Sequence, residues 1–187
     1  MARTFCLICA MFVEKKYMVI EDGLIKIKIS DNIFKIIRPY CQTMKRMPES
    51  GGIMIGRENI SNDNLIIETI SEPMKGDKQK RSRFIRKDPG HITWFEKLYE
   101  ESDKTLRYIG EWHTHPEDDP HYSLIDLNNW KRIKEEASNE ADYYHLIAGR
   151  NSIAVWKLCN DNKLPIKISI ILWKDIISEK NNTDNKR

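Results

Sequence analysis

His113-Thr114-His115-Pro116 sets two imidazoles one residue apart, and Ser123-Leu124-Ile125-Asp126 brings a carboxylate a short loop later. In extended backbone, residues i and i+2 point to the same face, so both histidines can reach a single ion. Pro116 then blocks continuation of a ladder or helix by removing a donor and fixing φ. Two imidazoles, one carboxylate and an open position make the ligand set of a catalytic zinc. Structural zinc sites are usually closed, four-coordinate and thiolate-rich. Ser123 and Asp126 also read as a capping box, with Ser123 at the N-cap and Asp126 at N3. The two readings are compatible, because a backbone-held Asp in a first helical turn suits a ligand. His-x-His alone is a weak signal; ligand type, count and spacing together favour metal. Glu111 can bind metal, orient a histidine by accepting its second ring N–H, or pair with a basic residue. His121 competes only weakly, since Asp126 already completes the set.

His113-x-His115-Pro116, six residues, then Ser123-x-x-Asp126 resembles the signature of the JAMM (MPN-plus) metalloproteases. That family carries a glutamate upstream, before a Gly-containing strand, and Glu49-Ser50-Gly51-Gly52-Ile53-Met54-Ile55-Gly56 matches. The run Tyr108 to Glu117 is most similar to the prokaryotic JAB subgroup, often encoded beside activating-like and conjugating-like enzymes in anti-phage or mobile-element operons. The resemblance spans about Leu24 to Trp173. It implies one Zn2+ per chain on His113, His115 and Asp126. It makes Glu49 the general base for the attacking water, and Ser123 the hydroxyl that steadies the oxyanion. It implies an α/β fold: a single JAMM/MPN (cytidine deaminase-like) domain with a curved mixed β-sheet packed between helices. The implied reaction is hydrolysis of an isopeptide or peptide bond after the C-terminus of a ubiquitin-like protein or a protein conjugate. The alternatives are a catalytically silent MPN-type scaffold, and a hydrolase of small-molecule or carrier-protein amides.

These groups need elements to position them. Leu24 to Ile29 alternates apolar and charged residues and reads as a strand. Asp31 is placed to cap a helix over Asn32 to Met44, interrupted at Pro39. Ile53 to Gly56 and Asn64 to Ser71 read as strands, and Pro89 to Ser102 as a helix. Within that helix His91 reads as a packed or cap-region residue rather than a ligand. Leu106 to Trp112 is the strand that delivers the histidines. A helix follows from Ser123 to about Asn139, burying Leu127, Trp130, Ile133 and Ala137 and turning Lys131, Arg132 and Lys134 to water. Tyr143 to Ala148, Ser152 to Cys159 and Ile166 to Trp173 read as three strands, the first two joined at Gly149-Arg150-Asn151.

The 187 residues suit one domain, 40% hydrophobic and 32% charged, and a net charge of +3 implies no partner by itself. We expect residues 1–23 to form an N-terminal extension or strand, 24–173 the domain, and 174–187 a polar, disordered tail. Cys6, Cys9, Cys41 and Cys159 form no secreted disulfide framework, which points to a reducing cytoplasm. Cys6 and Cys9 read as apolar-like thiols rather than a redox or metal pair. No apolar run reaches the roughly 18 residues of a membrane span. Met74 to Lys87 is rich in Lys and Arg. It reads as a solvated, mobile loop in preference to a nucleic-acid or acidic-protein contact. Glu117, Asp118 and Asp119 are solvated carboxylates or, beside the site, attractors of a basic substrate tail.

Overall fold

The computed structural model describes residues 16–59, 61–62, 64–137, 139–159 and 164–176. Among these residues the elements follow one another as β1 (Tyr17–Asp22), β2 (Ile25–Ser30), α1 (Asp31–Ile37), β3 (Gly51–Glu58), β4 (Leu65–Ile70), β5 (Lys78–Lys80), β6 (Arg83–Ile85), α2 (Gly90–Glu101), β7 (Arg107–Thr114), α3 (Leu124–Ala137), β8 (Tyr143–Ala148), β9 (Ser152–Leu158) and β10 (Ile166–Leu172). The Cys6–Cys9 pair and the tail beyond Ile176 lie outside the described residues.

Eight strands form one mixed sheet in the order β1-β2-β4-β3-β7-β8-β9-β10, and β5 pairs with β6 as a separate ribbon. The β2–β4 and β7–β8 pairs are parallel, and the other pairs antiparallel. The outer strands β1 and β10 touch, so the sheet curls almost into a barrel. The residues explain the layering. Along β8 and β9, alternate side chains go to opposite faces: Tyr144, Leu146, Ala148, Ile153 and Val155 enter the interior of the curl, with α1 residues Ile33, Phe34 and Ile37. Ile147, Ala154, Trp156 and Leu158 face outward and are covered by Trp130 of α3. Ile53 and Ile55 of β3 also face outward, under Trp94, Phe95 and Leu98 of α2. With both faces covered, β8 is buried throughout, which is why it reads as a nearly unbroken apolar run.

One irregularity aims the site. Met54 pairs with Gly110, but Ile55 pairs with Tyr108, so β7 carries an extra residue at Ile109–Gly110. A bulge of this kind reverses the alternation beyond it. Ile109 and Trp112, three apart, both enter the interior, and Glu111 and His113 therefore turn toward α3. Gly110 makes the bulge possible: its φ is +154°, and a Cβ there would lie 1.7 Å from the Tyr144 carbonyl oxygen.

Three expectations are corrected. The helix expected over Asn32 to Met44 ends at Ile37 and tightens into a 3-10 turn over Arg38–Tyr40. Pro39 lacks the N–H the helix needs and clashes with the preceding turn. Asp31 is the first helical residue, and Ser30 occupies the cap position. Lys134, expected in water, is buried, because its ammonium reaches the Ala141 carbonyl at 2.5 Å and lies over the Tyr143 ring, while Ala137 is exposed. The expected loop at Met74 to Lys87 contains the ordered β5–β6 ribbon. No helix among the described residues is long and apolar enough to cross a membrane.

Candidate active site

β7 runs parallel to β8 as far as Thr114, and the His115 N–H extends that ladder to the Ala148 carbonyl at 3.0 Å. Both histidines are buried. Their Nε2 atoms face each other at 3.1 Å. His113 Nε2 lies 3.4 Å from Asp126 Oδ1, and His115 Nε2 lies 3.4 Å from Asp126 Oδ2. Asp126 comes from the first turn of α3, where the capping box expected from sequence forms. Its Oδ2 accepts from the Ser123 N–H and hydroxyl at 2.7 Å each, and its own N–H points to Ser123 Oγ at 3.3 Å.

Two buried nitrogen lone pairs aimed at one point repel unless a cation or shared proton lies between them. The donor set of two imidazoles and one carboxylate fits a single metal ion, and one ligand atom from each residue lies within 4.8 Å of the others. The electrostatics agree. Burial alone would raise the Asp126 carboxyl, but His113, His115 and Ser123 hold it far below the usual carboxylate range. Burial would favour neutral His113, but Asp126 outweighs it and raises the imidazole pKa. The trio therefore attracts positive charge.

Glu49 precedes β3 and is 5% exposed, with Oε1 3.9 Å from His115 Nε2. Burial pushes its carboxyl up to about 7, against the pull of both histidines. Its backbone is tied down from two sides. The Glu49 N–H donates to the Lys80 carbonyl at 2.8 Å, while Ser50 and Thr114 exchange bonds of 3.0 and 2.9 Å. Gly51 follows because Phe84 of the ribbon presses on this point: a Cβ there would lie 2.7 Å from the ring and 2.5 Å from the Trp112 carbonyl oxygen.

Two cavities meet at the His113, His115 and Asp126 cluster. One of about 160 Å3 is lined by Glu49, His115, Glu117 and Ser123, and one of about 410 Å3 by Arg86, Glu111, His113 and Trp130. Arg83, Phe84, Ile125 and Asp126 border both, so the ribbon and α3 form the two walls of one cleft.

Of the three readings of Glu111, the structure realises the pairing with a base: Arg86 Nε donates to Oε1 at 2.7 Å and Asn129 Nδ2 to Oε2 at 2.9 Å. His121 lies outside the trio, packed near Trp156. Glu117 is half exposed, with Oε2 3.9 Å from His115 Nδ1, and accepts the His121 N–H. Asp118 is paired with Arg150 at 2.6 Å, and Asp119 accepts from Ser152 Oγ at 3.0 Å. Sequence reasoning missed His145. Its ring stacks on Trp130 at 4.0 Å, and Trp130 lies 6.2 Å from the His113 ring. The Glu111 N–H donates to His145 Nδ1, and burial holds this imidazole well below its ordinary pKa, so it stays neutral. A lone histidine within an apolar strand gave no signal of this placement.

A family model described as prokaryotic homologs of the JAB domain, Prok-JAB, matches residues 41–159, which include Glu49, His113, His115, Ser123 and Asp126. The chain belongs to the Prok-JAB family. Several relatives carry the name CD-NTase/cGAS isopeptidase. The one from Escherichia coli (strain TW11681) is 37% identical over 145 residues, 77% of this chain and 90% of that protein. The one from Pseudomonas aeruginosa (strain BWHPSA011 / Pa011) is 29% identical over 72% of this chain and 84% of its own length. A Vibrio cholerae relative is 40% identical over 50% of this chain and 58% of that protein. The solution structure of protein DSY2949 from Desulfitobacterium hafniense shares the fold, with a TM-score of 0.52 at 15% identity, covering 75% of this chain and 88% of that one. The α/β Prok-JAB domain with its curved mixed sheet is thus the architecture the sequence implied.

Proposed function

We propose that this Prok-JAB protein is a zinc-dependent isopeptidase of a bacterial defence pathway, which hydrolyses the amide joining a protein's C-terminal residue to a lysine amine. The observation that carries the reading is the convergence of His113, His115 and Asp126 beside the buried carboxyl of Glu49. The name shared by the relatives supports a protein conjugate as the substrate class, with a CD-NTase/cGAS-type protein as a candidate for the conjugated chain beside the ubiquitin-like protein implied by the motif. Activating-like and conjugating-like enzymes would make the bond that this one breaks.

His113, His115 and Asp126 would hold the ion. A zinc ion held there would supply Lewis-acid chemistry to the attacking water and the scissile carbonyl. Glu49 does the proton work: its carboxylate takes the proton from the attacking water and delivers it to the departing lysine amine. Burial, which raises this carboxyl, favours its taking up the proton, and the charge of a bound ion would favour its release. Ser123 lines the smaller cavity beside Glu49. Its hydroxyl swings from Asp126 to the oxyanion, while its backbone N–H keeps Asp126 in place. Phe84 and Ile125 close on the acyl chain from opposite walls and exclude water. The scaffold alternative finds no support in a ligand set kept whole, with an acid–base group next to it.

The test is selectivity. The same peptide tail is joined either to lysine Nε or to an α-amine and offered to the zinc-loaded enzyme. Cleavage of the Nε-linked form, abolished by a chelator and restored by zinc, is expected. Zinc-independent cleavage, or cleavage of the α-linked form alone, contradicts the reading.

A further inference from the structure

The ribbon that walls the cleft is strongly basic and firmly anchored. Lys78, Lys80, Arg81 and Arg83 on it are exposed, as are Lys45 and Arg46 in the loop packed against its turn. No Asp or Glu occurs in residues 38–48 or 78–87. Among the described residues, none of these six side chains forms an ion pair, although Arg57, Arg86, Arg107, Arg132, Arg150 and Lys157 all do. Like charges this dense repel each other, and loops relieve that repulsion by spreading. Here the fold prevents spreading. Asp77 gathers the neck of the ribbon, accepting from the N–H groups of Met74 and Lys87 at 2.8 Å, from Asp88 at 3.0 Å, and from His91 Nε2 at 2.8 Å. Gln42 Nε2 holds the Arg81 carbonyl at 2.7 Å, and Arg81 reaches the Lys45 carbonyl. Arg86 fixes the far strand to Glu111.

We infer that this ribbon, with the Lys45–Arg46 loop, is a docking surface for an acidic face on the protein whose C-terminus enters the cleft. The inference rests on the isopeptidase reading, because the wall continues into the cavity through Arg83 and Phe84, both of which also border the metal trio. An acidic protein fits better than nucleic acid. Single-stranded chains are held by aromatic stacking as well as charge, and the ribbon's one aromatic, Phe84, is turned inward onto Gly51.

The experiment uses the zinc-loaded full chain and a triple charge reversal, Lys45→Glu, Arg46→Glu and Lys78→Glu. All three are exposed positions outside the cavity linings. Three substrates share one isopeptide-linked tail: the tail alone, the tail on an acidic carrier domain, and the tail on a charge-neutral form of that carrier. Wild type should favour the acidic carrier over the neutral one by on the order of tenfold in kcat/KM at low salt. Both 0.5 M salt and the triple reversal should remove the preference, with turnover of the free tail unchanged. The neutral triple variant, with Gln at the same positions, should fall between, which separates charge from misfolding. Binding of the tail-less acidic carrier, measured by salt titration, tests docking even if no substrate is cleaved. Loss of cleavage with binding retained would sink the isopeptidase reading alone. Equal turnover on both carriers, or carrier binding that the reversal leaves intact, overturns the docking inference. Tighter binding of a DNA oligonucleotide than of the carrier, abolished by the same reversal, would overturn it in favour of nucleic acid.

Discussion

Ser123 and Asp126 share one carboxylate between two tasks. Asp126 Oδ2 closes the helix cap on the Ser123 N–H and hydroxyl at 2.7 Å, and the same carboxylate faces both histidine Nε2 atoms at 3.4 Å. The cap thus orients the carboxylate that faces both histidines. Ser123→Ala should lower stability by about 1 kcal/mol through the lost cap. It should also weaken zinc binding by roughly tenfold, through the lost hydrogen bond to a ligating carboxylate. Turnover should fall by on the order of a hundredfold. Denaturant unfolding, chelator competition and kcat measure the three effects separately. Unchanged zinc affinity would show that the hydroxyl does not orient Asp126.

The convergence of His113, His115 and Asp126 and the capping box were legible in the sequence because both depend on local spacing, whereas Glu49, far upstream in the chain, was marked only by the family resemblance. Of the three C-terminal strands, β8 and β9 were legible because they run almost wholly apolar, and β10 because apolar and polar residues alternate over Ile166 to Ile170. The direction of His113 was not. Simple alternation places Ile109, Glu111 and His113 on one face, and only the extra residue at Gly110 separates them. Nor could composition show that Met74 to Lys87 forms an anchored ribbon. Its order comes from Asp77 and His91, and from Glu111, which is 25 residues away from its Arg86 partner. The interruption at Pro39 was legible from its missing N–H; the tighter turn over Arg38–Tyr40, which packs Tyr40 and Cys41 against the core, was not.

The Asp77 clasp sets an acid limit on the ribbon. Burial of Asp77 opposes ionisation, but the N–H groups of Asp88 and Met74, with His91 and Lys87, outweigh it and hold the carboxyl below its usual value. A carboxyl lowered on folding stabilises the protein fully above its unfolded pKa of about 3.9, and that stability is lost as pH falls through the folded value. Asp77→Asn should therefore be less stable than wild type at pH 7, and the gap should narrow steadily below about pH 4. A gap that stays constant from pH 7 to pH 3 in thermal melts would contradict the clasp. KM for a protein conjugate should rise more than kcat falls, since the clasp holds a wall rather than the reacting groups.

Glu111 and Arg86 are a nearly buried pair that fastens the ribbon to the histidine strand. Removing one partner leaves the other charge desolvated, so Glu111→Gln should cost about 3 kcal/mol. The double replacement Arg86→Met with Glu111→Met should recover much of that loss. A double-mutant cycle by denaturant unfolding checks this, and strictly additive losses would show that the two side chains act independently.

The central claim is tested most directly by zinc analysis and isopeptide cleavage on wild type, Glu49→Gln and His113→Ala in parallel. Wild type should carry about one zinc per chain and cleave. Glu49→Gln should keep its zinc and lose turnover by roughly 10²- to 10⁴-fold, and His113→Ala should lose both. Wild type that takes up no zinc when supplied, or Glu49→Gln that cleaves at the wild-type rate, would contradict the account.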